Sequence, residues 1–223
     1  AFNLAFNDFE IDWYWNENKY LELLKVSGGF NRIIHYRDEI KSDLKNDLCR
    51  SIQLRKRFHY NELIKSGKIK IRYGVLRLIE ELAKLDIDQF IVTTSGRESL
   101  DPFLRTSLKN HAHLFSKVIT YESVSNHKPS PDAYKLALKL CNKPNKNCIV
   151  IEDSIIGVEA AKAANLNVLL TLPPWSYNPE NITRKAISCV DSLGDSINHS
   201  KLIYGKPLIR NFVDFDYLTD IIN

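Results

Sequence analysis

Two adjacent carboxylates, Glu152 and Asp153, close a short apolar run that begins at Cys148, in the stretch VIEDSIIGVEAAKAANL. Neighbouring carboxylates repel, and the end of a buried strand is partly desolvated. A hard cation would offset both penalties, since Mg²⁺ takes oxygen ligands, commonly one or two carboxylates with phosphate and water. The competing reading is a helix cap: Asp153 or Ser154, before IIGVEAAKAA, would satisfy free backbone amides and the helix dipole. Capping does not need Glu152. Further hydroxyls stand at Thr93, Thr94 and Ser95, in a turn after a second apolar run. With the backbone N–H groups of that turn they suit a phosphate oxygen, or else they form an ordinary polar turn. Lys128 lies in NHKPSPDAYKLAL, where Pro129 and Pro131 stiffen the approach to a helix. A fixed lysine there could hold a phosphate as a point charge; otherwise it is a solvated loop lysine with little packing to lose. His127 beside it reads as a polar loop residue.

The elements that must position these residues alternate. DQFIVTTSG, HLFSKVITYESV, NKNCIVIEDS and NLNVLLTL each contain a short apolar strand. Helical stretches separate them: GVLRLIEELAKL, DPFLRTSLKNH, PDAYKLALKL and GVEAAKAAN. Such alternation predicts an α/β fold with a doubly wound parallel sheet, whose ligands sit at the carboxyl ends of the strands. Thr93, Lys128 and the 152–153 pair all follow strands. Residues 1–70 differ: Phe2, Phe6 and Phe9, then Tyr20, Leu21, Leu23 and Leu24, have helical spacing. SGGF at 27–30 breaks one helix from the next, and a long basic helix ends near Gly67. The expected organisation is an all-helical domain over 1–70 and an α/β core over 71–223.

Composition narrows the class. The 223 residues are 44% hydrophobic and 26% charged, which suits a folded core and excludes wholesale disorder. A net charge of +4 gives no face built for nucleic acid. No apolar run approaches the ~18 residues of a membrane span. Cys49, Cys141, Cys148 and Cys189 show neither CxxC nor metal-ligand spacing, so they read as reduced thiols. The localisation expected is cytoplasmic, or plastid stroma in a photosynthetic eukaryote, for a monomer whose partners include neither nucleic acid nor membrane. Two sequons, Asn181–Thr183 and Asn198–Ser200, read as chance matches.

A strand-end threonine, then KPSPDAYKLAL, then VIEDSIIGVEAAKAA, in that order on successive strands, resemble motifs two to four of the haloacid dehalogenase superfamily of phosphohydrolases. AFNLAFNDFEIDWYW, YLELLKVSGGFNRI, LRKRFHYNELIKSGKIKIRYGVLRLIEEL and VTTSGRESL are similar to the CbbY-like subgroup of sugar-phosphate phosphatases and phosphomutases, which carry a helical cap. Phe30 stands where relatives often have a basic residue, and Tyr73 replaces a common proline. The resemblance implies Mg²⁺ at Asp153, with Glu152 supporting the metal directly or through water. It implies Thr93 and Lys128 as catalytic groups, with Thr94 holding phosphoryl oxygens beside Ser95. It also implies a cap that reads the rest of a phosphorylated sugar, a bisphosphate above all. The cations offered for that are Arg97, Arg32 and the Arg55–Lys56–Arg57 run.

The same resemblance implies an Asp-x-Asp strand, first Asp nucleophile and second Asp acid–base. No such motif precedes the cap. The chain has no Met and starts in a helical pattern, so about 15–25 further residues, one strand and a turn, are expected before Ala1. DFD at 214–216 has the spacing but falls outside the sheet pattern. The alternatives are a phosphomutase of the β-phosphoglucomutase type, passing the aspartyl phosphate to a second hydroxyl, and a non-catalytic binding protein of the same fold.

Overall fold

The computed structural model describes residues 1–26, 28–173 and 185–223; Ser27 and the sequon Asn181–Thr183 lie outside the described residues. The chain divides into two compact units. One comprises Ala1–Lys70 with Glu98–Ser107, the other Ile71–Arg97 with Leu108–Asn223. Glu98–Ser107 reads from sequence as part of the α/β half, but clusters with the helical unit.

The helical unit contains α1 (Phe2–Asp8), α2 (Glu17–Leu23), α3 (Gly29–Glu39) and α4 (Asn46–Lys65). Its core is an aromatic cluster on aliphatic supports. Phe2 and Phe6 meet Trp15 at ring-centroid distances of 4.6 and 5.0 Å, over buried Leu23, Ile33 and Ile52. Offset and edge contacts of this kind add to area burial. Asn3 fixes the Trp15 backbone from both sides, accepting from its N–H (3.0 Å) and donating to its carbonyl (2.9 Å). Phe9 falls just beyond α1 and stays exposed.

The α/β unit opens with α5 (Val75–Lys84) and β1 (Phe90–Val92). Next come α6 (Arg97–Thr106), most of which belongs to the helical unit, β2 (Lys117–Ile119), α7 (Asp132–Cys141) and β3 (Ile149–Glu152). The unit ends with α8 (Ile155–Ala163), β4 (Asn167–Thr171), β5 (Ser188–Val190), β6 (Leu202–Tyr204) and α9 (Phe215–Ile222). β3, β4 and β5 pair in parallel, β6 adds antiparallel to β5, and β1 and β2 form a separate parallel pair. Strand alternation sorts β4 between two cores. Val168 and Leu170 pack with Val158, Ala160 and Ala161 of α8. Leu169 packs with Leu78 of α5 and with Tyr217 and Leu218 of α9. Helices therefore cover both faces, the doubly wound arrangement that the βα alternation predicts. β5 and β6 are additions to that reading. α6 starts at Arg97, earlier than the pattern from Asp101 indicates.

The helices are placed by local devices. Ser154 caps α8, its Oγ accepting from Gly157 N–H at 3.1 Å. Gly74, before α5, has φ +81° and lies against the Gly194 backbone, where a Cβ would come within 2.2 Å of the carbonyl. Position 74 therefore admits only glycine. Asp214 of the DFD triplet caps α9 by accepting from Tyr217 N–H at 2.8 Å, and Asp216 pairs with Arg210 at 3.3 Å. Among the described residues no helix is long and apolar enough to cross a membrane.

Candidate active site

A cleft of about 360 Å³ opens at the carboxyl ends of β1, β3 and β4. Thr93 and Thr94 line it after β1, Glu152 and Asp153 after β3, and Lys128 and Arg72 complete its polar wall. The strand ends thus bring together five of the sequence-derived site residues. Ser95 and Arg97 are exposed and do not line the cleft. The Arg97 N–H instead donates to Glu122 Oε1 at 3.1 Å, and Arg32 lies in the helical unit.

Lys128 is the anchor of the site. Its side chain is only 7% exposed and Glu152 only 8%, so their contact is a buried ion pair of 2.5 Å. Lys128 Nζ also donates to the Val92 carbonyl (2.9 Å) and to Tyr134 Oη (3.1 Å). All three ammonium protons are therefore directed. This corrects the picture of a solvated loop lysine that contributes little to packing.

Glu152 is saturated as well. Oε1 accepts from Lys128 and from Tyr134 Oη, while Oε2 accepts from Ser154 Oγ (3.2 Å) and the Asp153 N–H (3.3 Å). Burial and the Glu152 carboxylate push the Tyr134 phenol far above its usual range, so it remains a neutral O–H donor. The carboxyl is wedged against α8: a Cβ on Gly157 would lie 2.0 Å from Glu152 Cδ. Glu152, expected to support the metal directly or through water, accepts hydrogen bonds at both carboxylate oxygens, so direct ligation would compete with these bonds.

Asp153 stands apart. It is accessible in the cleft, and no side chain among the described residues donates to its carboxylate. The surrounding protein and the Glu152 charge raise its pKa, while Arg72 and Lys128 pull it back. A carboxylate with no side-chain donor among the described residues, held near a second negative charge, fits a hard cation. Among the described residues no cluster of three or more His, Cys, Asp or Glu surrounds it.

Thr93 Oγ1 accepts from Ser95 N–H at 3.0 Å, which shapes the turn and leaves the hydroxyl proton for an anion. Sequence reasoning missed Arg72 and Tyr134. Arg72 donates to the Leu172 carbonyl (2.6 Å), to Thr171 Oγ1 (3.2 Å) and to the Asp191 carbonyl, tying the ends of β4 and β5. Its partners lie about a hundred positions away, so no local pattern marks it. Tyr134 is inside the PDAYKLAL word, in the first turn of α7.

In the helical unit the basic run sorts itself. Arg55 pairs with Asp8 and Arg57 with Glu98 (3.0 Å), whereas Lys56 has no carboxylate partner among the described residues. Its ammonium lies 4.8 Å from the Tyr60 ring and 5.2 Å from the Phe2 ring. Burial, then the Arg32 and Arg57 cations, bring its pKa down to about 8. Arg32 Nε donates to the carbonyls of Val26 (2.9 Å) and Leu23 (3.1 Å).

The family model for haloacid dehalogenase-like hydrolases matches residues 1–171. Protein CbbY of Cereibacter sphaeroides is 31% identical over 196 residues, covering 87% of this chain and 84% of the relative. The plasmid-borne CbbY of Cupriavidus necator is 30% identical over 201 residues, covering 87% and 78%. A crystal structure of a mutant CbbY from Rhodobacter sphaeroides, in complex with xylulose-(1,5)bisphosphate, has a TM-score of 0.77 at 28% identity and covers 87% of this chain and 86% of that one. The chain belongs to the haloacid dehalogenase-like hydrolases, on their CbbY-like branch.

Proposed function

We propose that this chain is a Mg²⁺-dependent phosphatase of phosphorylated sugars, with sugar bisphosphates preferred. The observation that carries the reading is the buried Lys128–Glu152 pair, fixed in one cleft with Thr93, Thr94 and the accessible Asp153 carboxylate. Asp153 would hold the cation, which when bound supplies charge neutralisation at the phosphoryl oxygens. The Thr93 hydroxyl donates to one of those oxygens, and the Thr94 N–H, in the same turn, to another. Lys128 meets the phosphoryl group by exchanging one of its neutral acceptors, the Val92 carbonyl, for an anionic oxygen. Glu152 and Tyr134 keep the ammonium aimed meanwhile. Preorganised charge of this kind supplies most of the rate gain in phosphoryl transfer.

The attacking group in this reading is an aspartate of an Asp-x-Asp strand pairing between β1 and β3, whose outer edges have no ladder partner among the described residues. In-line attack forms an aspartyl phosphate and releases the sugar hydroxyl, and water then frees the phosphate.

The cations offered for a second phosphate on the sugar are Lys56, which has no carboxylate partner among the described residues, and the remaining N–H groups of Arg32. The bisphosphate in the Rhodobacter CbbY complex supports that substrate class. The test uses protein expressed from the complete reading frame. Phosphate release from sugar bisphosphates and matched monophosphates is measured with Mg²⁺ and with chelator. The expected result is Mg²⁺-dependent release with higher kcat/KM for bisphosphates, a gap that Lys56→Met and Arg32→Ala narrow. Absence of Mg²⁺-dependent release from every sugar phosphate refutes the phosphatase reading. Equal kcat/KM for both classes refutes the bisphosphate preference alone.

A further inference from the structure

Away from the cleft, Cys141 and Cys148 bring their sulfur atoms to 3.9 Å. Cys141 is the last residue of α7, and Cys148 directly precedes β3. The six residues between them are ordered by their own backbone bonds. Asn142, at φ +51°, returns its N–H to the Leu138 carbonyl (3.1 Å), and Cys148 N–H bonds the Asn145 carbonyl (3.0 Å). Both cysteines are half-buried, so a small reagent can reach them, and neither is bonded to another cysteine. Each thiol has only a weak carbonyl acceptor, Leu138 for Cys141 (3.4 Å) and Pro144 for Cys148 (3.6 Å).

We propose that Cys141 and Cys148 are a dithiol modification site, converted to an intramolecular disulfide by exchange with small-molecule disulfides. In the first step one cysteine thiolate attacks the small disulfide, whose S–S bond breaks to release one thiol and leave a mixed disulfide on the protein. The second cysteine then attacks the protein sulfur of that adduct. The Cys141–Cys148 bond forms and a second small thiol departs, so two protein thiols are oxidised as one external disulfide is reduced. The sulfurs, 3.9 Å apart, must close to about 2.05 Å. Their fixed proximity favours the second step over a persistent adduct, because it makes that step intramolecular. Burial and the neighbouring Cys141 sulfur hold the Cys148 thiol up at about 11, so exchange quickens with alkalinity. The bond would tie the end of α7, which carries Tyr134, to the start of β3, which carries Glu152.

The test incubates the full chain with oxidised glutathione at mildly alkaline pH, then digests it with trypsin without reduction. Cleavage after Lys139, Lys146 and Lys162, with Lys143 protected by Pro144, places the two cysteines in separate peptides, 140–146 and 147–162. The expected product is these peptides cross-linked, two hydrogens lighter than their sum, together with a raised Tm for the oxidised protein. Cys148→Ser should instead accumulate a glutathione adduct on Cys141. Persistent glutathione adducts on the unsubstituted protein, or unreacted thiols at both positions, would overturn the site. Cross-linking with an unchanged Tm would overturn the lock between α7 and β3.

Discussion

Glu152→Gln separates charge from shape at the centre of the site. The amide oxygen still accepts from Lys128, but the ammonium loses its counter-ion while remaining 7% exposed. The new NH₂ group faces two existing donors, Ser154 Oγ and the Asp153 N–H, both of which donate to Oε2 in the unsubstituted protein. Gly157 leaves no room for the amide to turn aside. Surface ion pairs are worth about 0–1 kcal/mol, whereas removing one member of a buried pair costs about 3–5 kcal/mol. At exposures of 7% and 8% the second regime applies. For a chain of this size each kcal/mol moves Tm by about 2–4 °C, so a fall of roughly 6–20 °C is expected. Lys128→Met, Glu152→Gln and the double variant, compared by thermal unfolding, form a mutant cycle. The double variant should lose less than the sum of the singles, by about 0.5–3 kcal/mol. A Tm within about 2 °C of wild type for Glu152→Gln, or strict additivity, would refute the argument that the pair is buried and coupled.

Asp153→Asn should weaken Mg²⁺ binding and remove most turnover; titrating Mg²⁺ against activity checks this, and an unchanged Mg²⁺ dependence returns Asp153 to a purely local role. Lys128→Ala should lower kcat at least ~100-fold, and unlike a loop lysine it should also lower Tm, because Glu152 is left buried without its cation. Gly157→Ala places a methyl 2.0 Å from Glu152 Cδ, so it should destabilise by about 1–3 kcal/mol and lower kcat by displacing that carboxylate, read by urea unfolding beside steady-state rates. Lys56 falls from 10.5 to about 8 in the fold. Its charge is present below that pH and lost above it, so KM for a sugar bisphosphate should rise as pH climbs through 8, and Lys56→Met should flatten that rise.

Period and order make the frame readable. The βα alternation, the buried run of β4 and the strand-end position of Thr93, Lys128 and Asp153 are local patterns, and local patterns survive in a linear chain. The roles of Lys128 and Glu152 do not. A lysine just before two prolines looks solvated until Tyr134, six residues on, and Glu152, twenty-four residues on, close around it. Arg72 is invisible for the same reason, because every acceptor it holds lies beyond position 170. β5 and β6 are three residues each, too short for a period to emerge. The membership of Glu98–Ser107 in the helical unit is a matter of which neighbours it meets, which propensity does not encode.

Among the described residues, the charged side chains that line the cleft come in equal numbers, Arg72 and Lys128 against Glu152 and Asp153. Formally these four cancel, so on their own they offer a phosphate dianion little net attraction and offer a lone cation little more. Each ligand creates the field that the other needs. A divalent ion at Asp153 would turn the cleft positive, and a phosphate at Thr93 would turn it negative. By linkage the factor by which one tightens the other is the same in both directions. Metal and substrate therefore arrive as mutual effectors, and the affinity of either has meaning only at a stated concentration of the other.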